Sequence, residues 1–170
     1  MAQAQRTGWI MIWAAVIGAL FLLTWIFSSL IDQRQNPNRE FDSRTMNGSA
    51  EVRLVADRQG HYVAPGRING QEVTFLVDTG ATLVSIPESL AGELGLSKMG
   101  SIRLETAAGT VEGWITYLDE VALGDIRATN VRAAINPGRH EQVLLGMSFL
   151  GQLELNHRQG ELVLRTTNSG

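Results

Sequence analysis

Beyond residue 50, helix-length apolar periodicity is scarce, and short apolar runs are cut at close intervals by turn residues. That punctuation admits a β-rich domain and little else. Asn69-Gly70 is the preferred pair for a two-residue hairpin turn, because both residues tolerate positive φ. It is followed by "VTFLVD", nearly continuous in apolar residues, as in a strand buried on both faces. "LVSIP" closes on Pro87, and residues 88–96 predict a short helix starting near Pro87 or Glu88. Strands are expected on both sides of Ala107-Ala108-Gly109, with a turn at Gly124-Asp125. "TNVRAAINPG" reads as a further strand and "EQVLLG" as a short apolar one. Residues 153–156 and 161–165 alternate around "HRQG" as a last hairpin. The 18 glycines suit so many turns. With no β-α-β alternation, the expectation is an all-β, closed or sandwiched antiparallel domain.

Residues 8–31, "GWIMIWAAVIGALFLLTWIFSSLI", carry no charge. As a helix they would extend about 36 Å, enough to cross a hydrocarbon core of about 30 Å. Trp9, Trp13 and Trp25 lie toward the ends, where amphipathic rings favour the membrane interface. A cleaved signal peptide would have a shorter apolar stretch and a small-residue cleavage site, and "FSSLIDQ" is a poor one. The segment is therefore expected to be an uncleaved transmembrane helix after a tail of residues 1–7. Arg34, Arg39 and Arg44 follow it against Arg6 before it, a count that leans toward a cytoplasmic C-terminal side. Residues 32–50 are polar and poor in aliphatics and read as a flexible linker. The domain is expected over residues 51–167, with a tail at 168–170.

A net charge of −3 offers no basic footprint for nucleic acid. The absence of cysteine excludes disulfides, zinc–thiolate sites and cysteine nucleophiles. His61, His140 and His157 are scattered without metal-ligand spacing, so no metal is expected. "GMSFLG" departs from the nucleophile elbow of serine hydrolases, which leaves Ser148 without that role.

Asp78 stands apart. It ends an apolar strand, where a carboxylate loses hydration and needs donors. Thr79 supplies a hydroxyl and an N–H, and Gly80 has no side chain to obstruct close approach. Asp-Thr-Gly is thus suited to a tight loop that holds a carboxylate.

"FLVDTGAT" resembles the catalytic motif of the retropepsin-like aspartic proteases, single-domain relatives of pepsin. The family's second mark is an apolar pair followed by glycine, on a strand that threads beneath the aspartate loop. "VLLGMSFL" at 143–150 resembles it, with Leu144, Leu145 and Gly146 in the key places. "LETAAGTVEGW" at 104–114 sits where the family carries its flap, a hairpin that closes over substrate. Viral members often place a second Asp and an Arg where this chain has Thr82 and Met147, so that charged pair is missing as a pair. Ala108 stands where the bacterial branch often has Asn at the flap tip.

The resemblance implies a single-lobe retropepsin-like closed β-barrel or sandwich with a flap hairpin and one short helix. It implies Asp78 as the catalytic group, Thr79, Gly80 and Ala81 as its loop, and Thr106, Ala107, Ala108 and Gly109 as the flap. Leu144, Leu145 and Gly146 would support the loop. Such proteases use two carboxylates, and this chain has one Asp-(Thr/Ser)-Gly, so a homodimer is implied. The substrate would be a peptide or protein, hydrolysed without a cofactor. The apolar N-terminal segment resembles a membrane-attached bacterial branch, which implies the inner membrane with the domain in the periplasm, against the lean of the arginine count. The competing reading is an inactive β domain that serves as a membrane-tethered binding or oligomerisation module.

Overall fold

The structure, a computed structural model, describes residues 13, 16–24, 37–46, 48–106, 109–138 and 142–167. The chain divides into two units, Met1–Gln35 and Asn36–Gly170.

In the first unit, residues 16–24 are helical, and Thr24 Oγ1 donates to the Leu20 carbonyl at 2.8 Å. Leu20, Phe21, Leu22 and Leu23 are all exposed. No helix among the described residues is long and apolar enough to cross a membrane. Most of the expected span, including Trp9 and Trp25, lies outside the described residues.

Among the described residues, the second unit carries eleven strands and two short helices. In order they are β1 (Asp42–Met46), β2 (Ser49–Val55), β3 (Val63–Ile68), β4 (Gln71–Val77), β5 (Val84–Pro87), α1 (Glu88–Glu93), β6 (Gly100–Thr106), β7 (Gly109–Leu123), β8 (Ile126–Asn136), β9 (Val143–Leu145), α2 (Met147–Leu150), β10 (Leu153–Arg158) and β11 (Glu161–Thr166).

The turn residues act as expected. Asn69 and Gly70 take φ of 50° and 81° and join β3 to β4, with Ile68 opposite Gln71. Gln159 and Gly160, at 50° and 82°, join β10 to β11, so His157 and Arg158 belong to the strand rather than the turn.

One sheet is antiparallel throughout, in the order β1-β2-β11-β10. The other runs β3-β4-β9-β5-β8-β7-β6, and β3 also pairs with β7 through Arg67–Ala122 and Ile68–Val121. That pairing closes six strands into a barrel and leaves β6 as an edge. Val52, Leu54, Leu162 and Leu164 from the first sheet join Phe75, Leu118, Ile135 and Leu145 from the second in one buried cluster. Burying such side chains contributes about 1.5–3 kcal/mol each before entropy is counted.

Four expectations need correction. The barrel is not purely antiparallel, because β4 pairs with β9 and β5 with β8 in parallel. Parallel pairs are joined by long crossovers, which leave no local turn signal. β4 is not buried on both faces: Val73 and Phe75 are buried, while Thr74 and Leu76 are half-buried. A second helix, α2, follows β9, and α1 ends at Glu93 rather than Leu96. The stretch expected to be a flexible linker, 32–50, contains β1 and the start of β2. β1 is held by backbone pairing to β2 and stands at a sheet edge, so it needs no aliphatic face. Before it, Asn38 is buried. Its Nδ2 donates to the carbonyls of Val55 and Val63 at 2.9 and 2.8 Å, and its Oδ1 accepts from Val55 N–H at 2.6 Å.

Candidate active site

Asp78 follows directly on β4 and is half-buried. Its N–H donates to the Leu145 carbonyl at 3.2 Å, and its own carbonyl accepts from Ala81 N–H at 3.2 Å. Its Oδ1 accepts from Gly80 N–H at 2.9 Å. A Cβ at residue 80 would stand 3.1 Å from that oxygen, so glycine there leaves room for the carboxylate. Thr79 is exposed on the same turn. Just before Asp78, Val77 N–H donates to the Tyr62 carbonyl at 2.9 Å.

The Asp loop leaves the barrel on β4 and re-enters on β5, and β9 lies between those two strands. Leu144 is opposite Leu76 on one side and Ser85 on the other. Gly146 then passes directly beneath the loop: a Cβ on it would meet the Leu83 carbonyl and stand 2.7 Å from Ala81 O. Met147 N–H donates to Ala81 O at 2.8 Å and Ser148 N–H to Thr82 O at 3.0 Å. The structure therefore brings Asp78, Thr79, Gly80 and Ala81 together with Leu144, Leu145 and Gly146. The two backbone bonds thus tie Met147 to Ala81 and Thr82 to Ser148, so the segments that lack the charged pair are held together through their neighbours.

Sequence reasoning missed the side chains that brace this loop. Ser148 Oγ accepts from Val84 N–H at 2.9 Å, across a separation of 64 residues. Asn136 Nδ2 donates to Ser85 Oγ at 2.6 Å, and Asn136 Oδ1 accepts from Gly138 N–H at 2.9 Å. No local pattern marks either contact. Only knowledge of which strands flank β9 would have found them.

The flap segment is a hairpin of β6 and β7 with Thr106 opposite Gly109, which takes φ of 114°. Ala107 and Ala108 lie outside the described residues. Near its tip Thr110 Oγ1 lies 3.0 Å from both carboxylate oxygens of Glu105. At its root Lys98 Nζ sits 3.6 Å from the centre of the Trp114 ring and 2.5 Å from Glu88 Oε1 on α1.

Elsewhere, a depression of about 820 Å³ lies on the four-stranded sheet among Arg53, Glu154, Asn156, Arg158, Glu161 and Arg165. No residue of the Asp loop lines it. Hydrogen bonds from Arg165 and Arg53 hold the Glu51 carboxyl below its usual range, with burial opposing them. Burial pushes the Tyr62 phenol up, and its ring meets His157 edge-on at 6.0 Å. Among the described residues no cluster of His, Asp and Glu could hold a metal ion. His140 lies outside them.

Residues 64–152 match the family model described as "gag-polyprotein putative aspartyl protease". An uncharacterised protein of Sinorhizobium sp is 33% identical over 134 residues, covering 76% of this chain and 58% of that protein. An uncharacterised protein of Rickettsia prowazekii is 29% identical over 103 residues, covering 59% of this chain and 44% of that one. The chain thus spans about half the length of these curated relatives. A crystal structure of a retropepsin-like aspartic protease from Rickettsia conorii superposes with a TM-score of 0.59 at 24% identity, covering 75% of this chain and 96% of that one.

Proposed function

The chain belongs to the gag-polyprotein aspartyl protease family, and on that premise we propose that it is a membrane-anchored aspartic endopeptidase acting through Asp78 of two copies. The observation that carries this reading is the seat of Asp78. Its loop is clamped over β9 by backbone bonds from Asp78, Met147 and Ser148 and by the close approach of Gly146, which leaves the half-buried carboxylate on a rigid turn. Preorganised groups of this kind lower a barrier without reorganising at the moment of reaction.

Two carboxylates brought face to face cannot both ionise easily, so they share a proton. The ionised member takes a proton from water as it attacks the scissile carbonyl, and the protonated member donates to the carbonyl oxygen. Such a dyad titrates as a unit. Each chain supplies one Asp-Thr-Gly, so the second carboxylate comes from the Asp78 of a second copy about a two-fold axis. The flap of residues 106–109 would close over an extended peptide, with Gly109 in a backbone conformation that glycine adopts readily. The apolar segment 8–31 would anchor the enzyme in a bacterial inner membrane with the domain in the periplasm. A reporter fused to the C-terminus tests that orientation.

The catalytic assignment is tested by cleavage of a peptide mixture at acidic and neutral pH with wild type and Asp78→Asn. The substitution is expected to reduce cleavage by roughly 10²–10⁴-fold. Cleavage that survives it overturns the assignment. Peptide binding by a wild-type chain that never cleaves would favour the binding-module reading instead.

A further inference from the structure

Lys98 is the only lysine among the 14 lysines and arginines of the chain, and Trp114 is the only tryptophan beyond residue 25. The two meet at the root of the flap hairpin, where the Lys98 ammonium lies 3.6 Å from the centre of the Trp114 ring. The same ammonium pairs with Glu88, the first residue of α1. The Lys98 and Glu88 side chains are 40% and 45% exposed, and an ion pair that open contributes little by itself. Its place in the fold is what gives it leverage.

Trp114 marks the boundary between barrel and flap. From Trp114 onward β7 is paired with β8, beginning with Trp114 opposite Ile135. From Thr110 to Gly113 its only strand partner among the described residues is β6, itself an edge strand. The other strand is fixed at the same level, where Met99 N–H donates to the Ile115 carbonyl at 2.9 Å. Beyond Trp114 the hairpin is thus a two-stranded arm, and such a ribbon is marginal without a third strand or other packing. Trp114 itself is half-buried and packs against the core cluster, so it is a firm base for the arm. The opposite end of the contact is placed as well. The chain re-enters the barrel from the Asp loop on β5, and α1 follows β5 without a break.

We propose that Lys98 is a positioning residue: lying between the Trp114 ring and the Glu88 carboxylate, it holds the flap arm at a fixed angle to α1 and so to the element that continues the Asp loop. The arm bends where β7 parts from β8, and a contact at that point acts on its whole length. With the angle fixed beforehand, less ordering remains for a bound peptide to impose. The inference deepens the protease reading and rests on it only for its effect on KM.

The test uses the full chain in mild detergent, with amide hydrogen exchange read by mass spectrometry in the absence of peptide. Lys98→Met keeps the apolar stem and removes the charge. It is expected to speed exchange of residues 110–113 roughly three- to tenfold, through loss of an exposed cation–π contact together with a surface ion pair. β8 and β9 should exchange as in wild type. Lys98→Arg is expected to keep the arm protected, because a guanidinium also stacks on a ring and pairs with a carboxylate. Faster exchange confined to the arm in K98M and absent in K98R supports the proposal. An arm that exchanges at the wild-type rate in K98M, an equal rise in β8 and β9, or a K98R that behaves like K98M overturns it.

The single lysine also allows the contact to be seen directly. Reductive methylation with isotope-labelled formaldehyde keeps the charge and labels Lys98 and the amino terminus only. The Lys98 methyl signal is expected upfield of its position in urea, because it lies in the ring current of Trp114. A signal that does not move between the folded and unfolded chain overturns the contact. In peptide cleavage, K98M is expected to raise KM roughly three- to tenfold with kcat within about twofold, the mark of lost uniform binding. A fall in kcat at unchanged KM overturns the positioning role. A chain that shows the exchange and ring-current responses but cleaves nothing overturns the protease reading alone. A cleaving chain without them overturns the role of Lys98 alone.

Discussion

Gly146 is where sequence, packing and chemistry meet most tightly. It sits under the Asp loop with no room for a side chain, because the carbonyls of Leu83 and Ala81 occupy the space. Those carbonyls are backbone and cannot rotate away. Gly146→Ala is therefore expected to destabilise the fold by roughly 1–3 kcal/mol, read from denaturant unfolding, and to disturb the Asp78 turn. A substitution without effect on stability would mean that the loop is not clamped as described. The Asp78 turn was legible from "DTGA" because its hydrogen bonds span two or three residues. Ser148 was not. Its hydroxyl accepts from Val84, and nothing around "GMSFLG" says which backbone donor will arrive.

At the level of elements, the hairpins were legible and the parallel pairs were not. Asn69-Gly70 and Gln159-Gly160 carry their turn conformation in their own residue types. By contrast β9 owes its parallel partner β4 to barrel closure, and β1 owes its strand to the free edge of β2. The β2–β11 pair is further tied by Glu51, which bonds both Arg53 and Arg165. Because these bonds hold Glu51 below its ordinary value of 4.5, its contribution to stability is present above that pH. It is lost as pH falls through the lower folded value. The arginine partners are 38% and 53% exposed, so solvent screens the pairs and the contribution is roughly 0.5–1 kcal/mol. Glu51→Gln is expected to be less stable than wild type near neutrality, the gap closing in acid. Urea unfolding at several pH values checks this, and a gap independent of pH would refute it.

For the molecule as a whole, the folded domain begins earlier than its aliphatic pattern announces. Asn38 stitches the end of β2 to the start of β3 and has no hydrophobic signature. A fragment starting at residue 51, the boundary that composition suggests, lacks both Asn38 and β1. It is expected to unfold at lower temperature than one starting at residue 36. Asn38→Ala in the longer fragment should reproduce part of the loss, about 1–3 kcal/mol, by leaving the buried Val63 carbonyl and the partly buried backbone groups of Val55 without these partners. Equal melting of the two fragments would show that the segment before β2 is dispensable.

The threading of β9 between β4 and β5 also sets an order of events. The strand that seats Asp78 is made long after Asp78 itself, so a ribosome must deliver most of the domain before the aspartate loop has anything to rest on. Contacts between distant parts of a chain form late and limit the folding rate. A nascent or interrupted chain therefore carries its aspartate unseated. The seat of the aspartate is complete only once the last third of the polypeptide has been made.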